Sequence, residues 1–442
     1  MKRRQFAAAA AALSSAAAAP LPAKPAIEGG APVRATPLRA GYWGTQFYDE
    51  KERAELLEVL EAQSPFRWYG PRKPGKVLQF EKEFAARMQA RFALGVTSGT
   101  AALQCAMAAL QIGPGDEVIL PAWTWHSCFN AIVLAGALPV CAEIDSSFNI
   151  DPAAIEQHIT PQTKAILAVH LQGNPCRMDR ILAIAKQHRL RVVEDCAQSV
   201  GASFQGRPVG SLGDIGIYSL QINKSITAGE GGALVMNDPA LFERAARFHD
   251  LGGFRAPHQE VAGAARLEWL FGANYRMNEF TGGILLAQLR KLDRIVAAVR
   301  ANARLVYEGL RDLPGVQFRQ LPDPAGELGA GVFLDFGTKA RCDRFLAAMK
   351  AENVGASKPG GSVVLPTLPH IIAKKTLHPH WPSFQSARGK AIRYGAETCP
   401  KTIDILQRFG GVLIDPKYTR QDVDDIVGAI RKVYPSVTGA GA

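Results

Sequence analysis

A lysine acts as a catalyst, rather than as a solvated side chain, when a carbonyl group is held beside it and its ammonium is made to release a proton. The run Ser219-Leu-Gln-Ile-Asn-Lys224-Ser-Ile-Thr-Ala-Gly-Glu-Gly-Gly232 sets one lysine between an apolar stretch and a glycine-rich turn. Taken alone it reads more readily as a lysine on an ordinary solvated loop. A Schiff-base lysine needs a carbonyl cofactor, and that cofactor needs partners of its own. Val192-Val-Glu-Asp195-Cys-Ala-Gln198 offers one, because Asp195 ends an apolar strand pattern where a carboxylate can keep a ring nitrogen protonated. At about 3 Å and an effective dielectric near 20, that attraction is on the order of 5 kcal/mol before desolvation. The competing reading of Asp195 is a helix N-cap.

Two further segments have the right chemistry and each has a plainer reading. Thr97-Ser-Gly99-Thr100-Ala-Ala-Leu is a glycine-containing turn that opens a helical pattern. Backbone N–H groups at a helix start, with hydroxyls beside them, bind phosphate; simple capping is the alternative. Leu120-Pro-Ala-Trp-Thr-Trp125-His-Ser puts aromatics just after a strand pattern, where a ring can stack on a flat cofactor or pack in the core.

The elements that must position these residues follow from periodicity. Between Ala93 and Asn237, short apolar runs alternate with helical patterns. Expected strands are Glu117–Leu120, Leu138–Ile144, Ala165–Leu171, Arg191–Glu194, Ile215–Ser219 and Gly232–Met236. Expected helices are Thr100–Leu110, Thr124–Ala135, Pro152–His158 and Asp179–His188. This alternation predicts an α/β fold with a mainly parallel sheet covered on both faces, and ligands bind at the carboxyl ends of such strands. Glu50–Ala62 reads as a helix. Asn278–Leu313 reads as a long helical stretch with Leu285, Leu289, Leu292 and Val296 on one stripe. Beyond it, Gly331–Phe336, Arg341–Ala351 and Arg420–Tyr434 read as strand, helix and helix.

The order and spacing of these motifs resemble the DegT/DnrJ/StrS-type sugar aminotransferases, a branch of the fold-type-I pyridoxal-phosphate enzymes, from about Gly41 to Val433. The pattern Ser219-x4-Lys224-x4-Gly-Glu-Gly-Gly232 carries most of it. Glu194-Asp-x-Ala-Gln198, Gly210-Ser-Leu-Gly-Asp-Ile-Gly216, Gly272-x-Asn-Tyr-Arg-Met-Asn-Glu279 and Cys399-Pro add to it. Leu220 stands where that family usually has phenylalanine.

The resemblance implies pyridoxal 5'-phosphate as cofactor, held in an internal aldimine by Lys224, which then shuttles the proton. It implies that Asp195 pairs with the ring nitrogen, Gln198 lies near the ring hydroxyl, and Trp125 stacks on the ring. Gly99, Thr100 and Ser219 would bind the phosphate. Asn274 would reach the phosphate of a neighbouring subunit in a homodimer, with Arg276 facing the same shared site. The implied layout is a large cofactor-binding domain over 41–290 with a seven-stranded-type sheet, a small C-terminal α+β domain over 291–435, and a tail over 436–442. The implied reaction is ping-pong transfer of an amino group from glutamate or glutamine to a keto-sugar, nucleotide-linked or not, or a keto-cyclitol. Segments Phe66–Gly70 and Trp381–Phe384 resemble the glutamine-using cyclitol branch. The rivals are an exported non-catalytic binding protein of the same fold and another reaction of the cofactor, such as desulfuration. Lys224, Asp195 and Gln198 together argue against the first. The second usually needs a cysteine on a mobile glycine-rich loop, which none of the seven occupies.

Composition bounds the remainder. The 442 residues are 47% hydrophobic and 21% charged, an ordinary globular balance. The net charge of +11 is scattered outside the first residues, so a nucleic-acid groove is not expected. The seven cysteines form no C-x-x-C pair and read as buried free thiols. His370, His378 and His380 lack the spacing of a metal site, and none is expected. Met1-Lys-Arg-Arg-Gln-Phe6 before an alanine-rich stretch has the form of a twin-arginine-like signal over 1–23, followed by a Pro-rich linker over 24–40. The expectation is export to the periplasm with no stable membrane span; the alternative is a cytoplasmic enzyme with a disordered tail.

Overall fold

Seven short runs buried on nearly every residue build the central sheet. They are β1 Phe92–Val96, β2 Glu117–Pro121, β3 Leu138–Ala142, β4 Thr163–Val169, β5 Arg191–Asp195, β6 Ile215–Ser219 and β7 Gly232–Met236. The computed structural model describes residues 24–360 and 363–439, so the expected leader over 1–23 lies outside the described residues. The strand order is β1-β7-β6-β5-β4-β2-β3. Only β7 runs against its neighbours, pairing antiparallel with both β1 and β6. β1 was absent from the expected strands because its Ala and Gly residues weaken the β signal.

The helices that cover or frame the sheet are α1 Glu50–Ala62, α2 Lys76–Arg87, α3 Gly99–Ala109, α4 His126–Leu134, α5 Pro152–His158, α6 Met178–His188, α7 Pro239–His249, α8 Ala256–Ala262 and α9 Glu279–Leu289. Several of their starts follow ordinary capping rules. Asp49 makes a capping box with Glu52, Ser98 caps α3, and Asp151 and Asp238 cap helices that begin with proline. The stretch expected as one helix from Asn278 is two, α9 and then α10 Leu292–Leu310. The turn between them sends the Lys291 ammonium inward to Glu52 Oε2 at 2.6 Å and to the Phe47 carbonyl at 2.7 Å.

A second apolar cluster is built from α10, β8 Gly331–Asp335, α11 Lys339–Ala351, β9 Phe409–Leu413 and α12 Arg420–Thr438. β8 and β9 pair antiparallel. The Pro-rich stretch expected to be a linker is docked on this cluster from Pro25 to Leu38. Buried Glu352 accepts the N–H groups of Ala26 (2.8 Å) and Val33 (2.9 Å) and holds Lys432 at 2.9 Å. Arg34 pairs with Asp422 at 3.0 Å. Composition marks a chain that lacks its own core, but not one held by another element's buried carboxylate. All seven cysteines are free, and six are buried. Among the described residues, no helix is long and apolar enough to cross a membrane.

Candidate active site

The carboxyl ends of β4, β5 and β6 and the start of α3 open onto one cavity of about 850 Å3. Strand alternation decides which side chains reach it. At the end of β5, Glu194 turns away and Asp195 turns into the cavity. Asp195 is buried; its Oδ1 accepts the Ala197 N–H at 2.9 Å and its Oδ2 accepts the Cys128 thiol at 3.1 Å. The residues after it form a turn rather than a helix, so the N-cap alternative is set aside. Burial pushes its carboxyl above the ordinary value, partly offset by these hydrogen bonds and by Lys224.

Lys224 lies on the same cavity, in the connection between β6 and β7. That connection is stiffened by its own hydrogen bonds. Leu220 N–H donates to Gly231 O (2.9 Å), Ile222 N–H to Gly229 O (3.1 Å) and Lys224 N–H to Gln221 O (2.9 Å). Thr227 Oγ1 donates to Leu220 O and accepts from Gly229 N–H, both at 2.9 Å. Lys224 is therefore not a solvated loop residue. Burial lowers its ammonium pKa, with the Asp195 charge opposing. A depressed pKa raises the share of neutral, nucleophilic amine.

The phosphate-type motif is a constructed turn. Ser98 caps α3 by accepting the Ala101 N–H at 3.1 Å, which leaves the N–H groups of Gly99 and Thr100 without acceptors in the helix ladder. Both residues line the cavity, with Ser219 beside them. The approach is close enough to exclude side chains. A Cβ on Gly99 would stand 2.7 Å from Ser219 Cβ, and one on Gly232 would stand 2.3 Å from Ser98 O. Gly232 of the lysine motif thus makes room for the start of α3. Thr100 Oγ1 and Ser127 Oγ are 2.8 Å apart.

Trp125 also borders the cavity and is 47% exposed. Core packing belongs instead to Trp123, which is 1% exposed and edge-on to Phe148. Gln198 lines the cavity and accepts the Gln172 N–H at 3.0 Å. Asn274 does not line this chain's cavity. It is exposed and bridges to Asp250, which also holds Arg276.

Other expected segments have structural work elsewhere. Arg67 and Trp68 are buried, Arg67 donating to Glu81 at 2.7 Å and lying over the Trp68 ring. Trp381 donates to the Val133 carbonyl at 2.6 Å. Neither segment is part of the cavity wall. Sequence reasoning missed Tyr42 and Trp43, which the bonds from Gly41 N–H and Gln46 to Asp415 bring to the wall. It also missed Cys128, whose contact with Asp195 crosses from α4 to β5 and has no local signature.

Behind Asp195, His170, Glu194 and Cys196 are grouped as metal ligands can be. Their donors are otherwise engaged. His170 Nδ1 accepts the Cys176 N–H, so Nε2–H donates to Glu194 Oε2 at 3.0 Å. Glu194 further accepts the N–H groups of Gly210, Leu212 and Gly213 at 2.6–2.9 Å. Two motifs separated in the sequence are thereby tied at one carboxylate.

The comparisons with known proteins agree with this geometry. The DegT/DnrJ/EryC1/StrS aminotransferase family model matches residues 47–359. The chain is 38% identical to GDP-perosamine synthase of Escherichia coli O157:H7 over 266 residues, which is 60% of this chain and 69% of that protein. It is 35% identical to L-glutamine:2-deoxy-scyllo-inosose aminotransferase of Micromonospora echinospora over 350 residues, 75% of this chain and 80% of that protein. Its fold superposes on the crystal structure of 3-amino-5-hydroxybenzoic acid synthase with a TM-score of 0.75 at 28% identity, covering 91% of this chain and all of that one. The chain belongs to the DegT/DnrJ/EryC1/StrS family and is a pyridoxal-phosphate-dependent aminotransferase.

Proposed function

We propose that the cavity carries out amino transfer from glutamate or glutamine to a keto-sugar or keto-cyclitol, with Lys224 as the Schiff-base and proton-shuttling residue. The observation that carries this is the convergence of a partly buried lysine, a buried carboxylate and a helix start on one cavity. The donor set fits the cofactor end by end. Gly99 and Thr100 N–H groups, with the hydroxyls of Thr100 and Ser219, suit the phosphate. Asp195, buried at the cavity wall, suits a protonated ring nitrogen. Gln198 suits the ring hydroxyl, and Trp125 offers a ring face to stack. When bound, the cofactor supplies an electron sink for the carbon that loses its proton. Lys224 holds and returns that proton, which its depressed pKa favours.

The GDP-perosamine made by one relative and the 2-deoxy-scyllo-inosose used by another support a polyhydroxylated acceptor. A shared site between two copies follows from the same reading. Exposed Asn274 sits in a segment with Trp269 (78% exposed) and Phe271 (fully exposed), an apolar surface suited to burial against a second copy. We also propose that the Arg3-Arg4 leader directs export; retention of an Arg3→Lys, Arg4→Lys variant inside the cytoplasm supports this, and unchanged export contradicts it.

Borohydride reduction of the purified protein followed by peptide mapping tests the lysine. A cofactor-derived mass on the peptide holding Lys224 is expected, and its appearance on another lysine overturns the assignment. The donor is read from the first half-reaction, with glutamine and glutamate each supplied alone.

A further inference from the structure

Asp195 is held by two unlike partners. One is the Ala197 N–H, fixed by the turn that follows β5. The other is a side chain from a different element: Cys128, in the first turn of α4, whose Sγ is 3.1 Å from Asp195 Oδ2. Cys128 is 1% exposed, and Thr124 Oγ1 lies 3.5 Å from its sulfur. Thr124 is itself tied to the C-terminal half of the chain, since Trp123–Thr124 pairs with Val363–Val364. The line Thr124, Cys128, Asp195 therefore runs from a strand pair to the cavity carboxylate.

We propose that Cys128 is a positioning residue that fixes the Asp195 carboxylate and sets how much of its negative charge is left for the cofactor's ring nitrogen. This rests on the reading of Asp195 given under Proposed function. A thiol is a weak donor. It orients a carboxylate oxygen without drawing off as much charge as a hydroxyl at the same place. Burial and the Asp195 charge both push the Cys128 thiol well above its ordinary pKa, so it stays a protonated donor across the working range. The groups that face Asp195 are Cys128 from α4, Lys224 from the β6–β7 connection and His170 beyond the end of β4, with Cys176 and Cys196 close behind. Lys224 favours the carboxylate's charge, and both ring nitrogens of His170 are engaged elsewhere, so of the three nearest groups only the cysteine tunes it by a side-chain hydrogen bond.

The test is the pH titration of the bound cofactor's visible band in purified holoprotein. Wild type, Cys128→Ser, Cys128→Ala and Asp195→Asn are compared, with melting temperatures alongside. A more negative Asp195 favours the protonated, cationic cofactor linkage. Cys128→Ala is expected to raise the midpoint and Cys128→Ser to lower it, each by about 0.5 pH unit, a roughly threefold change in proton affinity. A merely structural role changes melting temperature without opposite shifts of the midpoint. If Asp195→Asn moves the midpoint and both cysteine variants titrate as wild type or shift together, the Cys128 proposal is overturned while the Asp195 reading stands. If Asp195→Asn leaves the midpoint in place, the Asp195 reading falls, and this proposal with it. Should Cys128→Ala not fold, the near-isosteric serine variant decides alone, and an unmoved midpoint overturns the proposal.

Discussion

The two faces of β5 carry adjacent buried carboxylates with opposite fates. Glu194, on the face away from the cavity, accepts hydrogen bonds from His170 and from three backbone N–H groups. Burial alone would raise its pKa, but those hydrogen-bond donors hold it below the ordinary value. Asp195, one residue on, has one backbone donor and one thiol, and burial holds its carboxyl above the ordinary value. A saturated acid is architecture, whereas an under-supplied acid facing a cavity awaits a cationic ligand.

That contrast can be broken from either side. The largest effect is expected at the group facing Asp195. Lys224→Ala should lower turnover by roughly 10^4-fold, the upper end of what one positioned proton-transfer group supplies. It should leave the apo melting temperature equal or higher, because a partly buried ammonium is removed. Activity beside differential scanning calorimetry checks both. Asp195→Asn should lower turnover on the order of 10^3-fold if the pairing attraction is about 4–5 kcal/mol. Apo stability should again not fall, since an acid with a raised folded pKa opposes folding when ionised. An apo protein strongly destabilised by Asp195→Asn would erase the contrast.

Glu194 should behave the other way. Glu194→Ala leaves His170 and three N–H groups without an acceptor, and should lower the unfolding free energy by about 3–5 kcal/mol in urea titrations. Its pH dependence has a definite sign. The folded pKa is depressed, so the stabilisation is full above the unfolded value of about 4.3 and is lost as pH falls through the lower folded value. The stability gap between wild type and Glu194→Gln should therefore be flat above about pH 5 and close in more acidic solution. The smallest effect is expected at the phosphate end. Gly99→Ala drives a Cβ against Ser219 and should weaken cofactor affinity about tenfold, or ~1.4 kcal/mol, in equilibrium binding.

Much of this was legible before the fold was known, for identifiable reasons. The strands β2 to β7 are short apolar runs whose burial on both faces leaves a simple pattern, and the starts of α1 and α5 carry standard caps. Lys224, Asp195, Gly99, Thr100, Ser219, Gln198 and Trp125 share one cavity because strand ends and a helix start converge there. What stayed hidden depends on contacts between distant elements. Examples are the clamp of Glu352 on residues 26 and 33, the break at Lys291 that answers Glu52, and the thiol of Cys128 on Asp195. Arg67 and Trp68, in a segment that resembles the cyclitol branch, are interior, because buried Glu81 in the helix that follows gives the arginine its partner.

The most direct test of the central claim is a visible absorption spectrum of the purified protein, with and without glutamine or glutamate, beside Lys224→Ala. A yellow wild-type protein whose band bleaches when an amino donor is added is expected, with a variant that lacks the normal band. A wild type that stays colourless after added pyridoxal phosphate, or a Lys224→Ala protein with an unchanged spectrum, would contradict it.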